Sequence, residues 1–268
     1  KLAFVTKIIK FVDTEPETPS TVQEHNDIIY KSVDGIDLKL DVYTSIDSEQ
    51  PQPLLIFIHG GGWRSGNKED YRLYTLSFAQ KGFVTANISY RLSKVAKYPA
   101  AIEDVKCAVR WLRAHAEDYN VDPDKIALIG GSAGGHLSLL AGYADDVAFA
   151  ADCDSDVSSR VQAIVDLYGP VDLTTEYART HDLTTSFFGV SYKEASDRYL
   201  EASPLKWLSP DDPPTLIFQG TIDDLVPVSQ SDTLKAALDR AGVMNEYHRL
   251  KGWPHTMDLS KKVNDYCQ

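Results

Sequence analysis

The segment Ile126-Ala-Leu-Ile-Gly-Gly-Ser132-Ala-Gly-Gly-His-Leu-Ser-Leu-Leu-Ala-Gly142 joins a short apolar run to a helix-length apolar run through a glycine-dense turn. Ile126 to Ile129 reads as a buried strand, and the helix starts near Ala133. Ser132 stands at the tip, with Gly130 and Gly134 two residues to either side. In such a G-x-S-x-G turn the hydroxyl is raised above the sheet, and the glycines prevent collisions of Cβ atoms with strand and helix. The free N–H groups and positive dipole end of the helix suit an oxyanion forming beside the serine. Ser132 also fits a plain N-cap. The turn gains chemical meaning only if the chain supplies a base, an acid and an oxyanion site in the right order.

Working outward, Leu54 to Ile58 is apolar throughout, as a strand buried on both faces must be. Asp27 to Tyr30 and Leu38 to Tyr43 alternate around Asp34-Gly35, which predicts a β-hairpin. Helices are expected over Asp70 to Lys81, Pro99 to Tyr119 and Ser229 to Ala241. Strands are expected over Phe83 to Tyr90, Ala163 to Tyr168, Thr215 to Gln219 and Asn245 to Leu250. A hairpin followed by strand–helix units predicts one α/β domain over 25–268: a mostly parallel sheet with an antiparallel N-terminal hairpin and helices on both faces. Residues 1–24, with the proline-rich Glu15-Pro-Glu-Thr-Pro19, read as a poorly anchored arm. Residues 173–208 are too long for an ordinary connection and predict a small insert over the carboxyl edge of the sheet.

The bulk properties narrow the function classes. A net charge of −12 over 268 residues argues against nucleic acid or an anionic membrane as main partner. No apolar run reaches membrane-spanning length. Cys107, Cys153 and Cys267 make no disulfide framework, and their odd number leaves at least one unpaired within the chain. Composition therefore selects neither a reducing nor an oxidising compartment. The chain opens on Lys1 rather than Met, which fits removal of an initiator, tag or leader.

His59-Gly-Gly-Gly62-Trp63 follows the strand 54–58 directly, where α/β folds bind ligands. Glycines there present backbone N–H groups without obstruction, so Gly61, Gly62 and Ala133 are the expected oxyanion donors. A phosphate site is disfavoured, because neither a P-loop Lys-Ser/Thr nor G-x-G-x-x-G is present. A serine hydroxyl needs an imidazole to take its proton and a carboxylate to orient that imidazole. Of seven histidines, only His255 follows a strand end on a loop after an acid; His59 belongs to the glycine loop and is expected to brace it. Asp223 follows strand 215–219, and motif register favours it over Asp224. The order Ser132, Asp223, His255 is the expected one.

Together with Tyr90-Arg-Leu92, Pro99-Ala100 and Asp104, these motifs resemble the α/β-hydrolase superfamily. The chain is most similar to hormone-sensitive-lipase-type esterases and to the feruloyl/acetyl-xylan esterases called the BD-FAE group, over roughly residues 30–260. Leu167-Tyr-Gly-Pro-Val-Asp172 and Asp211-Asp-Pro-Pro are also similar. The resemblance implies a metal-free, cofactor-free serine carboxylesterase acting on short or aromatic acyl esters, small or borne on polysaccharide. Trp63, Tyr90, Phe187, Phe188 and Trp253 are then candidate pocket walls. An inactive receptor or scaffold of the same fold, a prolyl-oligopeptidase-type peptidase and a lactonase are the alternatives; no motif addresses oligomeric state. Three departures stand out: Gln219 where many relatives have histidine, Ser89 before Tyr-Arg-Leu in place of aspartate, and an end at Gln268 that suggests a truncated C-terminus.

Overall fold

In the computed structural model, residues 10–13, 15–48, 50–150, 153 and 156–268 are described. The N-terminal part of the expected arm, residues 1–9, lies outside them. Eight strands form one sheet in the order β1-β2-β4-β3-β5-β6-β7-β8. They are β1 (Val22–Val33), β2 (Ile36–Ser45), β3 (Gln52–Ile58), β4 (Val84–Ile88), β5 (Val121–Gly131), β6 (Ala163–Leu167), β7 (Thr215–Gly220) and β8 (Asn245–Leu250). The hairpin β1–β2 and the pair β2–β4 are antiparallel; every pairing from β4 through β3 to β8 is parallel. The expected fold class is present, with the arm shorter than read, since β1 already starts at Val22.

The helices are α1 (Arg72–Ala79), α2 (Ala100–Ala114), α3 (Ala133–Tyr143), α4 (Glu176–Thr180), α5 (Asp182–Phe188), α6 (Ser196–Glu201), α7 (Pro204–Trp207), α8 (Ser229–Ala241) and α9 (Lys261–Cys267). A 3₁₀ turn, Lys68–Tyr71, precedes α1 and is capped by Asn67, whose side chain accepts from Glu69 N while Asp70 accepts from Asn67 N. The expected helix over 99–119 stops at Ala114; Asn120 in the left-handed region then turns the chain into β5. Gly242, also left-handed, ends α8.

The central strands carry the core. Leu54, Ile56 and Ile58 of β3 face Val84, Ala86 and Ile88 of β4, and all are buried. Buried α3, which follows Ser132, lies on this layer so closely that Gly134 is obligatory. A Cβ there would stand 1.9 Å from the carbonyl oxygen of Ile58. Helices α4–α7 form the insert. It is held down by Phe187, which stacks on Trp63 at 4.6 Å, and by His136 Nε2, which donates to Ala202 O at 2.8 Å. At the other end of the chain the arm crosses back over the final loop: Val12 N donates to Leu259 O and Lys261 N to Lys10 O. Residues 261–267 supply a final helix, α9.

One expectation is corrected by a covalent bond. Cys107 and Cys153 form a disulfide between α2 and the connection after α3, and Cys267 is free. Beside the bridge, Lys106 Nζ donates to the carbonyls of Asp145 and Ala148, and Arg110 to that of Asp146. Among the described residues, no helix is long and apolar enough to cross a membrane.

Candidate active site

Parallel pairing brings the ends of β3, β5, β6, β7 and β8 to one edge. Ile58 is registered with Gly130, Gly131 with Leu167, and Gly220 with Leu250. The loops beyond these pairs carry the glycine run, Ser132, Asp223 and His255. Ser132 has φ 56° and ψ −120°, an uncommon conformation for a residue with a side chain, held by its N–H bond to Leu167 O at 2.8 Å. Its Oγ carries no hydrogen bond among the described residues.

His255 Nδ1 donates to Asp223 Oδ2 at 2.7 Å, so this tautomer leaves Nε2 free to accept. The Asp223 carboxylate is wholly buried. It is satisfied by three further donors: Leu225 N and Val226 N on Oδ1, and Gln219 Nε2 on Oδ2, each at 2.9 Å. Gln219 is itself fixed by Ser231 Oγ, which donates to its Oε1. Asp224, the sequence rival, is exposed. The ring of Tyr168 lies against that of His255, 4.5 Å between centroids.

The glycine run folds back on itself, with Arg64 N and Ser65 N both donating to Gly61 O at 3.1 Å. A Cβ on Gly61, where φ is +96°, would approach Ser65 O to 2.1 Å. The N–H groups of Gly61, Gly62 and Ala133 carry no hydrogen bond among the described residues. His59 stacks on Tyr90 at 4.3 Å, and burial lowers its pKa, keeping it neutral. Tyr90 hydroxyl donates to His59 O.

Two cavities meet at Ser132. The larger, about 930 Å³, is an open cleft whose walls include Gly61, Arg64, Asn67, Tyr71, Tyr74, Tyr168 and His255. The smaller, about 40 Å³, is lined by Gly62, Trp63, Ala133, Tyr177, Leu183 and Val226, among others. Of the five aromatic residues expected as pocket walls, only Trp63 lines either cavity. Phe187 and Phe188 are drawn into the core, where Phe187 packs on Trp63 and Phe188 on Tyr199. Tyr90 braces the glycine run, and Trp253, on the histidine loop itself, packs against the cluster that includes Phe218 and Met257. The walls come instead from Tyr177 and Leu183 of the insert and from Tyr71, Tyr74 and Tyr168. Their positions in the sequence carry no periodic signal pointing at the serine.

A family profile described as BD-FAE matches residues 40–238. The chain belongs to the BD-FAE family. Its fold and family are those of α/β-hydrolase carboxylesterases. Curated relatives include the probable carboxylic ester hydrolase LipM of Mycobacterium tuberculosis, 37% identical over 72% of this chain and 46% of its own length. Esterase LipC of the same organism is 35% identical over 82% of this chain and 57% of its own. The chain thus spans about half the length of these relatives. Among solved structures, a truncated carbohydrate esterase from gut microbiota superposes with a TM-score of 0.78 at 27% identity, covering 91% of this chain and 94% of that one. Propionate-bound esterase Est2 of the Planctomycetes species Thermogutta terrifontis superposes with a TM-score of 0.76 at 30% identity, covering 88% and 85%.

Proposed function

We propose that the chain hydrolyses short-chain carboxylic esters through an acyl-enzyme on Ser132. Ser132 Oγ attacks the ester carbonyl while His255 Nε2 takes its proton, and Asp223 stabilises the resulting imidazolium. The N–H groups of Gly61, Gly62 and Ala133 receive the oxyanion. His255 then protonates the leaving alcohol, and a water activated by the same nitrogen releases the acid. The observation that carries this reading is the 2.7 Å contact between Asp223 and a histidine sharing a cavity wall with Ser132.

The unequal cavities support an assignment of substrate halves. The smaller has room for about three water-sized groups, which favours an acetyl or propionyl chain over a hydroxycinnamoyl one. The open cleft, with Arg64, Asn67 and three tyrosines, suits a bulky hydroxylated alcohol such as a sugar. The structural relative named a carbohydrate esterase favours the same choice. The Cys107–Cys153 bridge supports maturation in an oxidising compartment.

Hydrolysis of p-nitrophenyl acetate through laurate, methyl ferulate and acetylated xylan tests the proposal, with Ser132→Ala alongside. Turnover of acetate and acetylated xylan that disappears in the variant supports it. Equal rates for variant and wild type, or no turnover by either, would move an inactive binding protein of this fold to the front.

A further inference from the structure

Three residues beyond His255, on the same loop, lies Asp258, 3% exposed. Tyr168 hydroxyl donates to its Oδ1, and Tyr74 hydroxyl to its Oδ2 at 2.8 Å. Its backbone carbonyl accepts from Asn264 Nδ2 at 3.3 Å and from Tyr74 hydroxyl at 3.2 Å. No Lys or Arg forms an ion pair with it among the described residues. Both carboxyl oxygens are satisfied inside the fold, and a satisfied buried polar network rigidifies the groups it joins.

The two tyrosines come from elements far apart in the sequence and both line the open cleft. Tyr74 belongs to α1. Tyr168 follows β6 directly, beside Leu167, whose carbonyl accepts from Ser132 N, and its own N–H donates to Phe218 O of β7. The Tyr168 ring also forms the surface against which the His255 imidazole rests. One side chain therefore joins the histidine loop to the strand end that fixes the nucleophile. Asp223 holds the imidazole by one nitrogen. The loop backbone is tied to the acid loop at Gly252 N–Thr221 Oγ1 and Ile222 N–Trp253 O, and to the arm at Val12 N–Leu259 O. Asp258 ties it by a side chain to Tyr168 and Tyr74.

We infer that Asp258 is a positioning residue for His255: clamped by Tyr168 and Tyr74, it sets the loop so that the imidazole reaches Ser132. This rests on the assignment of His255 as the base acting on Ser132. The test is steady-state hydrolysis of p-nitrophenyl acetate by Asp258→Ala, Tyr168→Phe and Tyr74→Phe, each also in a His255→Ala background. A misplacement of the base by about 1 Å costs about 10²-fold, so Asp258→Ala should lose about that in kcat with little change in KM. Tyr168→Phe keeps the ring and deletes one hydroxyl, and should lose about tenfold. In the His255→Ala background all three should leave the residual rate within about twofold, because there is no base left to position. A kcat near wild type in all three overturns the inference, as does a proportional loss in both backgrounds, which marks a purely structural role. If Asp258→Ala does not fold, the two hydroxyl deletions decide by the same criterion. Full activity in His255→Ala alone would instead remove the base assignment, and the clamp with it.

Discussion

Leu183→Ala should widen the small cavity proposed to take the acyl group, so that butyrate gains on acetate. Leu183 lies on α5 of the insert, lines the small cavity and packs over Gly62, where its Cδ1 stands 2.7 Å from the position a Cβ would take. Leu183 also lines the open cleft, so truncation to Cβ enlarges the small cavity on the side facing that cleft without altering Ser132, Asp223 or His255. Butyryl exceeds acetyl by two methylenes, each worth about 0.8 kcal/mol when moved from water into apolar surroundings. Their burial contributes about 1.6 kcal/mol, or about 15-fold in kcat/KM for butyrate relative to acetate. Leu183 is half-buried, so its truncation should cost less stability than the about 2–5 kcal/mol of a fully buried leucine. The measurement is kcat/KM for p-nitrophenyl acetate and butyrate in wild type and variant, with thermal unfolding as a control. A butyrate-to-acetate ratio unchanged from wild type, whether both rates hold or fall together, would refute placing the acyl group in the small cavity.

Gln219→Leu removes a donor from the Asp223 carboxylate and leaves Ser231 without its acceptor. Bonds to charged groups are worth about 1.5–3 kcal/mol, so kcat should fall by about one to two orders of magnitude at constant KM in steady-state kinetics. Gly134→Ala forces a Cβ to 1.9 Å from the Ile58 carbonyl, and because that atom is backbone, α3 and β3 must part to admit it. Circular dichroism melts should show a loss above about 4 kcal/mol, or no folded protein. His136 is fully buried, and burial lowers its pKa from 6.5 to about 4. It stays neutral in the fold while the unfolded chain takes up a proton below pH 6.5, so stability is complete above that pH and declines as pH falls toward about 4. The decline amounts to something on the order of 3 kcal/mol. Urea unfolding at a series of pH values should show a shallower decline in His136→Gln; parallel curves would contradict this.

Much of the fold is legible in the chain because its signals are local. Leu54 to Ile58 is apolar without alternation because β3 is covered on both faces, and Ser229 to Ala241 ends at a glycine in the left-handed region. Reading fails where a boundary depends on distant partners. β5 begins at Val121, five residues before its apolar run, because Val121 pairs with Gln52 across an irregularity in register. The same distinction holds at the site. Ser132, Asp223 and His255 are visible because each follows a strand end within a recognisable loop. Gln219 is noticeable in the sequence only as a departure from histidine, and its bonds to Asp223 and Ser231 emerge only in three dimensions. Leu183 and Tyr177 of the insert share a cavity wall with Ser132, and Asp258 of the last loop meets Tyr168 and Tyr74, juxtapositions that no spacing encodes. The pairing of Cys107 with Cys153, 46 residues apart, is equally silent.

That disulfide closes a covalent ring with Ser132 inside it: β5, the turn and all of α3 lie between the two cysteines. When the domain opens, Ser132 and the helix that follows it remain confined to a tethered loop. On the loop-entropy model a ring of this size disfavours the open chain by about 4 kcal/mol. An enzyme so arranged should survive repeated excursions to high temperature better than its sheet alone would allow. Reducing agent should shorten its working life well before it slows a single turnover.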